Sequence, residues 1–166
     1  ANDHMLSKLK SLNTEYDLEA EYNYILNKNK TVPSFNSIVA SGSNATILHY
    51  EHNDQEFEKD SLVLLDLGVR YNQYASDISR TYPVSGKFTE RQKVLYQAVL
   101  DVNKEIINWV KPGVTQFEYN KKGVELLTKK AKEIGLIKED SEITKYYYHG
   151  LGHPLGLDVH DVGDPY

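Results

Sequence analysis

The chain has 166 residues and 40% of them are apolar, which suits one domain with a packed core and excludes a disordered chain. Its net charge of −5 lacks the basic excess of a nucleic-acid binder, and the absence of Cys rules out disulfides and thiolate metal sites. No apolar run approaches the ~20 residues of a membrane span and no signal-peptide pattern opens the chain, so a soluble, cytoplasmic protein is expected.

Along the chain, two segments resemble each other at a constant offset. Leu9-Lys10-Ser11-Leu12-Asn13-Thr14-Glu15-Tyr16-Asp17 matches Val110-Lys111-Pro112-Gly113-Val114-Thr115-Gln116-Phe117-Glu118. Thr14 and Thr115 read as helix N-caps with an acid three residues on; Thr115 and Glu118 fit the capping box, and Asp17 is a weaker version. Helices are expected over about 15–28 and 116–134. The second has Val124, Leu127, Ala131 and Ile134 on one face and Gly135 as its stop. Residues 34–39 and 46–49 read as two strands around the turn Gly42-Ser43-Asn44. Leu62 to Leu67 reads as a buried strand, and 74–82 as its neighbour, ended by Pro83. Thr89 and Gln92 form another capping box. It opens a helix to about Val110, with Leu95, Ala98, Val99, Val102, Ile106 and Trp109 on one face. Pro112-Gly113 breaks that helix, and the tail 146–166 is strand-like and rich in Gly and His. The fold class is α+β, antiparallel hairpins covered by helices.

Asp66 ends one apolar strand and Asp77 sits in the next. A hairpin turning at Tyr71-Asn72 sets the two directly opposite, with Cβ atoms about 5 Å apart. Like charges that close raise each other's pKa unless a cation separates them, so a metal pair is one reading and two solvated strand-end carboxylates the other. His149, His153 and His160 crowd one short Gly-rich stretch, which suits a metal or acid/base role. Pro154 and Gly156 leave their directions open. His49 alone reads as an ordinary strand-end residue, and His4 and His52 as surface residues.

The stretch His149-Gly150-Leu151-Gly152-His153-Pro154-Leu155-Gly156-Leu157-Asp158-Val159-His160-Asp161 resembles the signature of the proline-peptidase branch of the pita-bread metallopeptidases, the Xaa-Pro aminopeptidases and Xaa-Pro dipeptidases. Leu62-Val63-Leu64-Leu65-Asp66-Leu67-Gly68 with Tyr74-Ala75-Ser76-Asp77-Ile78-Ser79-Arg80 is similar to that family's paired-Asp hairpin. Pro33-Ser34-Phe35-Asn36-Ser37-Ile38-Val39 leading to Leu48-His49-Tyr50 looks like the segment carrying its active-site His.

The resemblance implies a pita-bread (creatinase/aminopeptidase) fold with an internal pseudo-repeat. It implies two divalent ions, manganese first with cobalt or zinc as alternatives. Mapped by motif, the metal ligands are Asp66, Asp77 and His153, the catalytic histidines His49 and His160, and the substrate-side residue His149. The implied activity is hydrolysis of Xaa-Pro bonds at peptide N-termini, the partners are proline-containing peptides, and the assembly is a homo-oligomer. Xaa-Pro dipeptidase and a non-catalytic peptide-binding pita-bread domain are the alternatives. A metal-free creatine amidinohydrolase has no need of Asp66, Asp77 and His153 together. The family's two Glu ligands follow the signature and its N-terminal domain precedes it. The 166 residues are therefore expected to be an incomplete catalytic domain, inactive alone. The repeat agrees: the interval from Thr14 to Asp66, applied from Thr115, ends just past Tyr166.

Overall fold

The structure, a computed structural model, describes residues 1–163. They form two compact units, one of Ala1–Phe88 with Pro154–Val162 and the other of Thr89–His153 with Gly163. The strand-like reading of the tail reaches into residues 164–166, which lie outside the described residues.

The first unit opens with α1 (Asn2–Lys8) and α2 (Glu15–Lys28). Thr14 caps α2: its hydroxyl accepts from Asp17 N at 3.0 Å, and Asp17 Oδ2 accepts from Thr14 N at 3.1 Å. The capping box is thus complete with Asp as the third residue. Short β1 (Val32–Pro33) pairs with β4 (Val69–Arg70), while β2 (Ile38–Ser41), β3 (Leu62–Leu67) and β5 (Ile78–Pro83) form an antiparallel sheet with β3 central.

Alternation along β3 divides the two faces of this sheet. Val63, Leu65 and Leu67 join Val39 and pack on Met5, Leu18, Tyr22 and Leu26. The three α2 residues recur every fourth position, so they form one stripe. Leu64 faces the other way, with Ile38, Ala40 and Tyr50, and Asp66 follows Leu64 on that second face.

Behind the first face lies a buried carboxylate. Glu15 is fully buried. Its Oε1 accepts from Ser41 N (2.7 Å), Ser41 Oγ (2.8 Å) and Asn44 Nδ2 (3.1 Å). Its Oε2 accepts from the Tyr50 hydroxyl (2.8 Å) and Gln55 N (3.1 Å). Burial pushes the Glu15 carboxyl up, but these donors outweigh it and hold the group below its ordinary value. Tyr50, buried beside an anion, is pushed up to about 12.

Residues 46–49 do not form the expected second strand. Gly42–Thr46 is a 3-10 turn, because the donors of Ser41 and Asn44 are claimed by Glu15 and the chain coils around that carboxylate. The neighbour of β2 on that edge is a side chain: Asn53 Oδ1 accepts from Val39 N and its Nδ2 donates to Ser37 O, both at 2.8 Å.

The hairpin also turns one residue later than expected. Asn72 and Gln73 have φ of 47° and 73°, and Tyr71 and Tyr74 exchange backbone bonds of 2.8 and 3.0 Å around them. This two-residue turn with both φ positive matches the right-handed twist of its strands. Asp66 therefore stands opposite Ser79, not Asp77. Gly68 sits where the ladder is interrupted. Its carbonyl accepts from the Tyr22 hydroxyl (2.7 Å) and Ser34 N (2.9 Å), and a Cβ there would run into the Ser76 carbonyl and Ser34 Oγ.

In the second unit, α3 (Glu90–Trp109) and α4 (Gln116–Glu133) begin with the capping boxes of Thr89/Gln92 and Thr115/Glu118. Val102 and Ile106 pack on Leu126, and Ala131 joins Ile137 and Ile143. The buried face of α4 is Gly123, Leu126 and Ala131, and Val124 is exposed. Gly123 explains the rotation: a Cβ there would meet Leu151 Cδ2 at 2.9 Å, so the bare backbone draws Leu151 against this side. The tail 146–163 holds turns and bends but no strand among the described residues. Asp161 N bonds Pro154 O at 3.2 Å and Asp161 Oδ2 accepts from Leu157 N at 3.1 Å, closing a loop instead.

Two outcomes are expected. Gly68→Ala lowers the unfolding free energy by about 1–3 kcal/mol in urea denaturation, since backbone and Ser34 must give way. Glu15→Gln costs about 1.5–3 kcal/mol, the range for hydrogen bonds to a charged group. Because the folded Glu15 pKa is depressed, its stabilisation is present above the ordinary carboxylate value of about 4.3 and is lost as pH falls through the folded value. The acid limb of a stability–pH curve is thus shallower in Glu15→Gln.

Candidate metal and acid/base site

The second face of the β2–β3–β5 sheet carries the candidate chemistry. Asp77 is two residues before Ser79, so it lies diagonally across from Asp66 on the same face. The carboxyls are close enough to share a hydrogen bond. Ser79 Oγ donates to Asp66 Oδ1 at 2.9 Å. Burial is the main force holding Asp66 above its ordinary pKa, and the neighbouring Asp77 adds to it. The Ser79 hydrogen bond and the nearby His49 act in the opposite direction.

His49 lies near Asp66, on the loop after the 3-10 turn. It is exposed and has a φ of 55°, a left-handed conformation uncommon for a side chain with a Cβ. The next residue, Tyr50, is buried and bonded to Glu15. The structure thus brings Asp66 and Asp77 together, with His49 near enough to act electrostatically on Asp66.

The other predicted residues lie in the Gly-rich tail. His160 belongs to the first unit, in the loop closed by Asp161. That loop is tied to the hairpin tip: Ala75 N bonds Gly156 O at 2.8 Å, and Arg70 Nη1 donates to Leu157 O at 2.8 Å. His149 and His153 belong to the second unit. His149 is exposed, with Nδ1 2.8 Å from Gly150 O. His153 lines a cleft of about 270 Å³ with Thr115, Gln116, Tyr119 and Gly152. Gln116 Nε2 donates to Gly152 O at 3.1 Å, which sets this segment on the start of α4. Among the described residues no group of three or more His, Asp and Glu side chains is gathered to hold an ion.

Sequence reasoning missed Ser79, Glu15, Asn44 and Asn53. Ser79 follows once the turn is set at Asn72-Gln73, a placement the sequence hides because Gln is a rare choice for a left-handed position. An acid in the first turn of a helix signals capping, so Glu15 gave no hint of burial.

The whole chain, residues 1–166, matches the Metallopeptidase family M24. It is 41% identical over 157 residues to the Xaa-Pro aminopeptidase of Haemophilus influenzae, covering 90% of this chain and 36% of that protein. It superposes on aminopeptidase P from Escherichia coli in a low-pH form with a TM-score of 0.88 at 38% identity, over 97% of this chain and 38% of that one. A zinc-substituted form of the Escherichia coli enzyme in complex with product matches at a TM-score of 0.84 and 36% identity, over 97% and 40%. The chain therefore spans about a third of the length of the relatives it matches. The likeness bears out the α+β, pita-bread architecture implied by the resemblance. With the paired aspartates on one sheet face and a family match from end to end, the chain belongs to metallopeptidase family M24.

Proposed function

We propose that the protein is a metal-dependent exopeptidase that hydrolyses Xaa-Pro bonds at peptide N-termini. The observation that carries this reading is the contact of Asp66 with Asp77 on one sheet face, with His49 of the neighbouring loop acting electrostatically on Asp66. Two half-buried carboxyls in contact are unfavourable as a pair of anions, and a divalent cation between them removes that repulsion. The donor set thus fits a hard or borderline divalent ion. We assign Asp66, Asp77 and His153 as its ligands, with His153 supplied from the loop before Pro154. Two divalent ions, manganese by preference and cobalt or zinc as substitutes, are the proposed cofactors.

When bound, such ions supply Lewis acidity toward a peptide carbonyl and make water a nucleophile near neutral pH. The chain's own residues do the rest. Ser79 fixes one oxygen of Asp66. His49 donates a hydrogen bond to charge developing on the scissile carbonyl oxygen. His160 holds the substrate backbone or passes a proton to the leaving nitrogen. His149 contacts the substrate at its proline side. Proline-containing peptides are the proposed partners, and a homo-oligomer in the cytoplasm the proposed setting. No helix among the described residues is long and apolar enough to cross a membrane.

Full-length protein assayed with manganese on a peptide bearing Pro at its second position should release the first amino acid, and chelation should abolish that release. A peptide with Ala in that position should remain uncut; equal cleavage of both would overturn the proline specificity. Asp66→Ala and Asp77→Ala should lower both turnover and bound metal, the latter read by elemental analysis. His49→Ala and His160→Ala should lower turnover by about 100-fold or more while metal content holds, within the range for acid–base groups. Loss of metal in those two variants would make them ligands and redraw the site.

A further inference from the structure

His49 is held in an unusual backbone conformation, and its neighbours show what holds it. The 3-10 turn before it and the residue after it end on one carboxylate. Upstream, Ser41 donates to Glu15 Oε1 through both its N–H and its hydroxyl, and Asn44 Nδ2 donates to the same oxygen. Downstream, the Tyr50 hydroxyl donates to Glu15 Oε2. Asn44 Nδ2 also reaches the Tyr50 hydroxyl at 3.0 Å, closing the ring. The segment between Asn44 and Tyr50 is therefore a short bridge with both ends fixed to Glu15. His49 stands next to one end, with a φ of 55° that free chain seldom adopts. That position lies near Asp66. Glu15 itself lies beneath the loop, fully buried, and has no part in the chemistry assigned above.

We propose that Glu15 is a positioning residue for His49, acting through Tyr50 and Asn44. The carboxylate carries no substrate or metal. It sets the direction of an imidazole by fixing the chain on either side of it. The catalytic consequence rests on the peptidase reading; the geometric one does not.

The test uses full-length protein in two measurements. In the first, proton–nitrogen spectra of the histidine rings are recorded, with the His49 signals assigned by their loss in His49→Ala. Tyr50→Phe keeps the ring packing and removes one hydroxyl. It should lower the melting temperature by a few degrees, as one lost hydrogen bond to a buried carboxylate requires, and also shift and broaden the His49 signals of the folded protein. Asn44→Ala should do the same to a lesser degree. Should Glu15→Gln fail to fold, these two variants carry the test, because Tyr50→Phe retains its apolar contacts and Asn44 is only half-buried. Tyr24→Phe, on an exposed tyrosine of α2, should leave the His49 signals in place. In the second, Tyr50→Phe should lower kcat on the Xaa-Pro peptide by about 10- to 100-fold with KM little changed, the penalty of a misplaced group. A purely structural role would lower the melting temperature and leave the spectrum of the folded fraction unchanged. His49 signals identical to wild type in Tyr50→Phe and Asn44→Ala would overturn the proposal. If wild-type protein cleaves no Xaa-Pro peptide, the peptidase reading fails and the ring spectra still decide the role of Glu15.

Discussion

One buried carboxylate organises the first unit. Glu15 has no exposed surface, and an unpaired charge there would cost far more than a typical fold can spare. Five hydrogen bonds from Ser41, Asn44, Tyr50 and Gln55 make it tolerable. The same bonds decide the path of the chain. Helix α2 begins at Glu15, so its first turn is fixed to the end of β2 and to the loop that follows. Glu15 N also bonds Gln55 O at 2.9 Å, which secures the loop's return. The segment bearing His49 has little choice of route between these anchors.

The sheet above this anchor separates two tasks by face. The face toward α1 and α2 is apolar and supplies cohesion. The other face begins apolar, at Leu64, Ile38 and Ala40, and turns acidic one step along at Asp66. Its acidic end is electrostatically uncomfortable, with Asp66 partly desolvated and in contact with Asp77. His49 adds backbone strain beside it. Such local cost is sustained because the rest of the sheet over-determines the geometry.

How much of this was legible in the sequence follows from how local each cause is. The Thr14, Thr89 and Thr115 caps were readable because the whole device lies within four residues. The β3 strand was readable because its apolar run is broken only at Asp66. The hairpin register was not, because it depends on whether Asn72 or Gln73 takes the second left-handed position, and Gln is a rare choice there. The loop at 46–49 misled for a different reason: Ile47 and Leu48 look strand-like but remain exposed, while the partner that β2 uses is the side chain of Asn53. The α4 face was displaced because a glycine, Gly123, sits in the contact with Leu151. The paired aspartates were found in spite of the register error. A slip that keeps the residues on the same face preserves their neighbourhood, and the expected and observed partners of Asp66 are two apart.

That tolerance has a consequence for how this hairpin can vary. Side chains along a strand obey a rule of odd and even, so Asp66 and Asp77 share a face only while the chain between them keeps its present parity. Removing one residue while keeping a two-residue turn would shift the register and turn Asp77 toward the apolar face packed on α2. Removing or adding two would leave both carboxyls on the outer face. Length changes at the Asn72-Gln73 tip are therefore admissible in even steps and forbidden in odd ones, unless a bulge absorbs the difference.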